Sequence, residues 1–311
     1  MNTASNSAKR ILFVHGRGPK PDKSTLQALW CDSIAGGIKR DHPDRLEALQ
    51  NTHVDMFYFA DKFAPFTESF NATVDLANRR LALEELTARD KPKLFRRKYY
   101  EEVPGKSSTK EFLVDAGASV GLGGLAFNKL APEYETYWQA RTSWGADLLR
   151  EFCVWLQDHL DAADEVLLIT HCLGSILAYD GLWTLSQQDL KQTSHRSGEP
   201  KVVNSWITIG SPLASNAVRK QLCGANDVAD QKYPRNILRW HNIAAEDDYI
   251  CHDMTVADDY AAMLKQHLVS EIKDYAIYNL AVRYGKSNPH SSMGYLIHPR
   301  TADLVANWLA H

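Results

Sequence analysis

Six residues, Thr170-His171-Cys172-Leu173-Gly174-Ser175, join a strand pattern to a helix pattern with no room for a loop. Glu165-Val166-Leu167-Leu168-Ile169-Thr170 is short, apolar and rich in branched side chains, which predicts a buried strand. Apolar spacing from Ile176 to Ser186 predicts a helix at once after it. A turn this tight strains its central residue, Cys172, and projects the side chain above the sheet. It also sets the Leu173 amide at the positive end of the helix. Gly174 allows helix and strand to approach closely.

The rest of the chain repeats the alternation. Ile11–Val14 predicts a buried first strand that ends in His15-Gly16-Arg17-Gly18-Pro19, a tight loop. Leu26–Ile38 follows as a helix, with Asp22 or Ser24 available as cap, and Val54–Phe59 as the next strand. Further on come a helix over Ala140–Leu160, strands over Val202–Ile209 and Ile237–Ile243, and a last helix over Arg300–Ala310. Strands alternating with helices, without internal repeats, predict an α/β fold with a mostly parallel sheet covered on both faces, in one domain spanning 1–311. Residues 61–137 break this order. They combine a helix over Asn71–Arg89, the basic stretch Lys91–Lys98, a polar turn over Val103–Thr109 and the glycine-rich Phe112–Leu130. They read as an inserted lid over a cleft, with helices that merely pack on the sheet as the alternative.

Composition narrows the function classes. With 35 basic and 38 acidic residues the formal net charge is -3, which leaves no excess of positive charge for phosphate backbones, so no nucleic-acid partner is expected. The polar start, Met1–Arg10, carries no apolar run long enough for a signal sequence, and no transmembrane segment is expected, so the expected location is cytoplasmic. Five cysteines, an odd number without paired spacing, speak against a disulfide framework or a zinc ribbon. His241, Cys251, His252 and Asp253 are a candidate metal set, but they lack the spacing of a specific site, so no metal is expected.

The turn and its neighbours resemble the α/β-hydrolase superfamily, most closely its lipase- and phospholipase-like serine esterases. Their elbow usually reads Gly-His-Ser-Leu-Gly and often continues as Ser175-Ile176-Leu177-Ala178-Tyr179-Asp180 does here. Two positions depart: Thr170 replaces the first glycine and Cys172 the serine. Cysteine also occupies this elbow in some members, such as dienelactone hydrolases. The resemblance implies an α/β-hydrolase fold and a catalytic set in the family's chain order: Cys172 as nucleophile, Asp248 as acid with Asp247 as the alternative, and His290 as base. His15-Gly16 resembles the family's oxyanion motif, which implies the backbone amides of Arg17 and Leu173 as donors, with His15, Gly16, His171 and Gly174 in support. Gly210-Ser211-Pro212 resembles a strand-ending turn that shapes the pocket.

The expected activity is hydrolysis of a small-molecule or lipid-like carboxylic ester or thioester through an acyl-enzyme. No cofactor is implied, since the triad needs only water. Two other readings stay open: a catalytically weak binding or regulatory protein on the same fold, and an acyltransferase.

Overall fold

The computed structural model describes residues 8–63, 72–95, 132–192, 201–228, 231–251 and 253–311. Much of the predicted insertion, including Val103–Thr109 and Phe112–Leu130, lies outside the described residues, as does His252.

Six strands form one parallel sheet: β1 (Lys9–Val14), β2 (His53–Phe57), β3 (Glu165–His171), β4 (Ser205–Ile209), β5 (Arg239–Ala245) and β6 (Glu271–Ile277), in the order β2-β1-β3-β4-β5-β6. Registers pair Val14 with Phe57 and Thr170, and Thr170 with Thr208. Alternate side chains of each strand enter opposite layers, because the strand period is two. Ile11, Phe13, Leu167 and Ile169 pack with Leu26, Trp30 and Ile34 of helix α1 (Lys23–Asp41) and Val305 and Trp308 near the carboxyl end. Leu12, Val14, Val166 and Leu168 pack on the other face with Phe152, Leu156, Ile176 and Leu177. Both faces are therefore dry, as a parallel sheet requires.

Helix α1 starts where Asp22 accepts the Thr25 N–H at 3.0 Å. The helix is longer at both ends than its apolar spacing predicts, because its first and last turns are polar: Lys23, Ser24 and Thr25, then Lys39, Arg40 and Asp41. Helices α2 (Ala72–Thr87), α3 (Pro132–Gln139), α4 (Trp144–Asp161) and α5 (Leu173–Gln192) follow. After β6 come a two-stranded hairpin, β7 (Val282–Arg283) and β8 (Lys286–Ser287), and helices α6 (Ser292–Leu296) and α7 (Pro299–Ala310). The predicted strand over Val202–Ile209 begins at Ser205, preceded by a single Val203–Ile237 bridge. Strand β6 was not expected from sequence, since Lys273, Asp274 and Tyr275 interrupt its apolar pattern at the edge of the sheet. Asp274 there accepts hydrogen bonds from the Asn242 side chain and the Val256 and Ala257 amides. Among the described residues no helix is long and apolar enough to cross a membrane.

The chain leaves β1 toward β2 on one side and returns to β3 on the other. The strand order therefore reverses between β1 and β3, where a crevice opens at the carboxyl ends of a parallel sheet. Helix α5 crosses this point in close contact with β1: a Cβ at Gly174 would lie 2.4 Å from the His15 carbonyl oxygen and 2.6 Å from that of Val14. Backbone cannot retreat as a flexible side chain can. Gly174→Ala is expected to lower stability by about 2–3 kcal/mol in urea unfolding. Gly285→Ala, where φ is +71° and nothing lies within 4 Å, should lose only about 1 kcal/mol.

Candidate active site

Cys172 takes a φ of 56°, in the left-handed region that strains a residue bearing a side chain by about 1–3 kcal/mol. Its neighbours hold it there. The Cys172 N–H donates to the Ile209 carbonyl at 3.4 Å, and the Ser175 N–H donates to the Cys172 carbonyl at 2.9 Å. The Thr170 hydroxyl pairs with that of Ser175 at 2.9 Å and accepts the Trp206 indole N–H at 3.0 Å. A glycine at position 170 would lack this tie between strand and helix. The thiol ends fully buried at the carboxyl end of β3, and Leu173, the first residue of α5, has an amide with no carbonyl partner inside its helix.

His290 lies on the loop between β8 and α6. Its Nδ1 donates to Asp248 Oδ2 at 2.7 Å, which assigns the ring proton to that nitrogen. The same oxygen accepts the Tyr295 hydroxyl at 2.7 Å, and Asp248 Oδ1 accepts the Ile250 N–H at 3.0 Å. Asp248 is fully buried, and these three donors compensate its charge. Asp247, its neighbour, is only half-buried. His290 Nε2 is buried without a well-aligned hydrogen-bond partner, and the Cys172 thiol stands beside it. His171 steadies the arrangement. Its ring centroid lies 4.6 Å from that of His290, and its Nε2 donates to the His290 carbonyl at 3.1 Å. Burial, with His290 and Lys20 nearby, pushes His171 well below the usual imidazole range, so it stays neutral.

The loop after β1 completes the site. The His15 Nδ1–H donates to the Gly16 carbonyl at 2.8 Å while its Nε2 accepts the Phe59 N–H at 2.9 Å, and the ring stacks on Phe59 at 4.1 Å. Burial lowers His15 to about 3, which keeps it neutral in this tautomer. A Cβ at Gly16 would lie 2.5 Å from His171 Nδ1 and 2.7 Å from Cys172 Cβ. Only glycine therefore lets the backbone between Gly16 and Arg17 run against the thiol.

Four contributions escape the sequence reading. The Tyr134 hydroxyl, from α3, lies 2.9 Å from Cys172 Sγ. The Arg17 side chain donates to Glu133 at 3.2 Å and to the Tyr249 hydroxyl at 2.9 Å, so this residue offers its charge as well as its amide. Tyr295 anchors Asp248, and Tyr249 lies 6.2 Å, ring to ring, from His290. No signal in the chain marks Tyr134 or Tyr249. The Gly210-Ser211-Pro212 turn does end β4, and its Ser211 hydroxyl accepts the Leu213 N–H at 3.3 Å. Of the candidate metal set, Cys251 faces the Ala245 carbonyl and Tyr295, and Asp253 faces Thr255. Among the described residues no group of three His, Cys, Asp or Glu could hold a metal ion.

Comparison with family models, with curated proteins and with solved structures finds no match. The chemistry of the site follows from its geometry.

Burial alone would push the Cys172 thiol up. The adjoining His290 outweighs it, with help from Arg17 and Tyr134, and holds the thiol at about 7. Burial likewise opposes charge on His290, but Asp248 and Cys172 raise it to about 10. Between these values the pair is thiolate and imidazolium, a nucleophile next to a proton donor. Thiolate ultraviolet absorbance, taken as the difference between wild type and Cys172→Ser, should therefore rise through about pH 7. In His290→Gln the thiol loses its main stabilising charge, and the transition should move upward past the ordinary cysteine value of about 8.5. Tyr134→Phe should move it in the same direction by less.

Proposed function

We propose that the protein is an α/β-hydrolase-fold acyl hydrolase that cleaves carboxylic esters or thioesters through an acyl-cysteine on Cys172. The observation that carries this reading is the left-handed Cys172 at the β3–α5 turn, beside a His290 ring whose other nitrogen is anchored on Asp248. The thiolate attacks the carbonyl carbon, forming a C–S bond, while the carbonyl oxygen takes the displaced electron pair. The amides of Leu173 and Arg17, which flank the thiol, are the donors for that oxyanion. As the tetrahedral intermediate collapses, the bond to the leaving oxygen or sulfur breaks and His290 Nε2 supplies its proton. His290 then takes a proton from water, the hydroxide adds to the acyl carbon, and the thiolate departs with the C–S bond pair. Asp248 fixes the tautomer and stabilises the imidazolium throughout.

Tyr134 fits this chemistry as a donor to the thiolate, and α3 sits over the nucleophile as the innermost part of a lid. Thiolate is a better leaving group than alkoxide, so resolution of the acyl-enzyme is expected to be quick relative to a serine enzyme once water reaches it.

One observation favours a second reading, a binding protein with weak turnover: Cys172 has no exposed surface and lies against Tyr134. Turnover of short- and long-chain nitrophenyl esters and matching thioesters separates the two. The hydrolase reading expects activity in the wild type, loss to background in Cys172→Ala, and roughly a thousandfold lower kcat in Asp248→Asn. Inactivity of the wild type on the whole panel, with retained ester binding, would favour the binding protein. Activity regained only in Cys172→Ser would mark the cysteine as a disabling replacement.

A further inference from the structure

Three cations collect at the loop after β1, on residues that the proposed reaction leaves unused. Lys20 lies on the β1–α1 loop, Arg79 on α2 and Arg283 on β7. One carboxylate serves the two arginines. Asp75 of α2, buried, pairs with Arg79 Nε through Oδ2 and with Arg283 through Oδ1. Arg79 also reaches the Pro19 carbonyl at 3.5 Å, which ties the loop carrying Lys20 to α2. Among the described residues Lys20 meets no carboxylate, and its ammonium donates only to the Arg17 carbonyl. Arg283 Nε is buried without a hydrogen-bond partner. Among the described residues, Asp75 is thus the one carboxylate paired within a group of three cationic side chains.

That imbalance is unfavourable in a partly dry recess, where charges normally stand paired. Burial and the neighbouring Arg79 draw Lys20 down to about 7, with Arg17 and Arg283 adding to the effect, and among its neighbours the Cys172 thiolate acts in the opposite sense. Lys20 holds the Arg17 carbonyl and Arg79 the Pro19 carbonyl, so the cluster borders the loop after β1 that opens on the crevice between β1 and β3. An incoming anion would restore the balance and meet donors from three separate elements.

We infer that Lys20, Arg79 and Arg283 form a subsite for an oxyanion, carboxylate or phosphate, carried by the acyl substrate close to its scissile carbonyl. This rests on the acyl-hydrolase reading and names its substrate class: an anionic ester or thioester. Guanidinium groups supply planar paired donors and the lysine a point charge, a combination suited to either oxyanion.

The test has a binding arm and a kinetic arm, both on the full chain. Calorimetry with inorganic phosphate and with succinate should show saturable binding to the wild type. Lys20→Met, and separately Arg283→Gln, should weaken it by about 10- to 100-fold, the loss of one charged hydrogen bond. Affinity for neither anion, or affinity unchanged in both variants, would overturn the inference. In the kinetic arm, mono-nitrophenyl glutarate is compared with nitrophenyl pentanoate, and lysophosphatidic acid with its monoacylglycerol. The pair whose anionic member is favoured at least tenfold in kcat/KM identifies the carboxylate or the phosphate as the source. The ratio should fall toward one in both variants. Equal slowing of anionic and neutral members, with the ratio kept, would show that the cations serve only the thiolate and would overturn the inference. If no ester of either kind turned over, the hydrolase reading would fail, while anion binding lost in Lys20→Met would still establish the subsite.

Discussion

The turn at Cys172 can exist only because two backbones meet without side chains between them. Gly16, in the loop after β1, admits the Cys172 side chain, and Gly174, in the first turn of α5, admits the carbonyls of Val14 and His15. The strained φ of Cys172 survives because the surroundings over-determine it: the amide bond to Ile209, the Thr170–Ser175 hydroxyl pair and the Trp206 indole all act within one turn of chain. The position of this turn follows from topology. The sheet order reverses between β1 and β3, so the loop after one strand and the turn after the other face each other across the same crevice.

Electrostatics then divides the polar groups into two kinds. His15, His171 and His298 are buried and kept neutral, and they act as fixed hydrogen-bond partners of the backbone. His290 is the exception because its Nδ1 rests on a carboxylate that three donors hold in place. Its raised affinity for a proton is what lowers the Cys172 thiol against the opposing effect of burial. The same low-dielectric setting makes the excess of cations at Lys20, Arg79 and Arg283 conspicuous, since among the described residues only Asp75 pairs within the group.

What can be read from the chain alone follows from range. Buried strands such as Ile11–Val14 and Glu165–Thr170 announce themselves as unbroken apolar runs, and the missing loop between strand and helix singles out Cys172. Cys172, Asp248 and His290 stand out because each follows or precedes a recognisable element, although the structure is needed to see that Asp248 turns its carboxylate to the histidine. Strand β6 is illegible because an edge strand can carry Lys273 and Asp274, whose polar contacts form only in the folded sheet. Tyr134 is illegible for a different reason. It reaches the thiol across 38 residues from an irregular stretch with no periodic signal, and nothing local distinguishes it from Tyr137, which binds Asp180 instead. The same holds for the Arg17 side chain, whose partners Glu133 and Tyr249 lie 116 and 232 positions away.

The central claim is that Cys172 becomes covalently acylated. The most direct measurement is intact and peptide mass of protein quenched in acid within the first turnovers of an activated ester. One acyl group on the peptide containing Cys172, absent from Cys172→Ala and discharged with time in the wild type, is the expected result. Continued ester turnover in Cys172→Ala, or an acyl group carried by another residue such as Ser211, would contradict it.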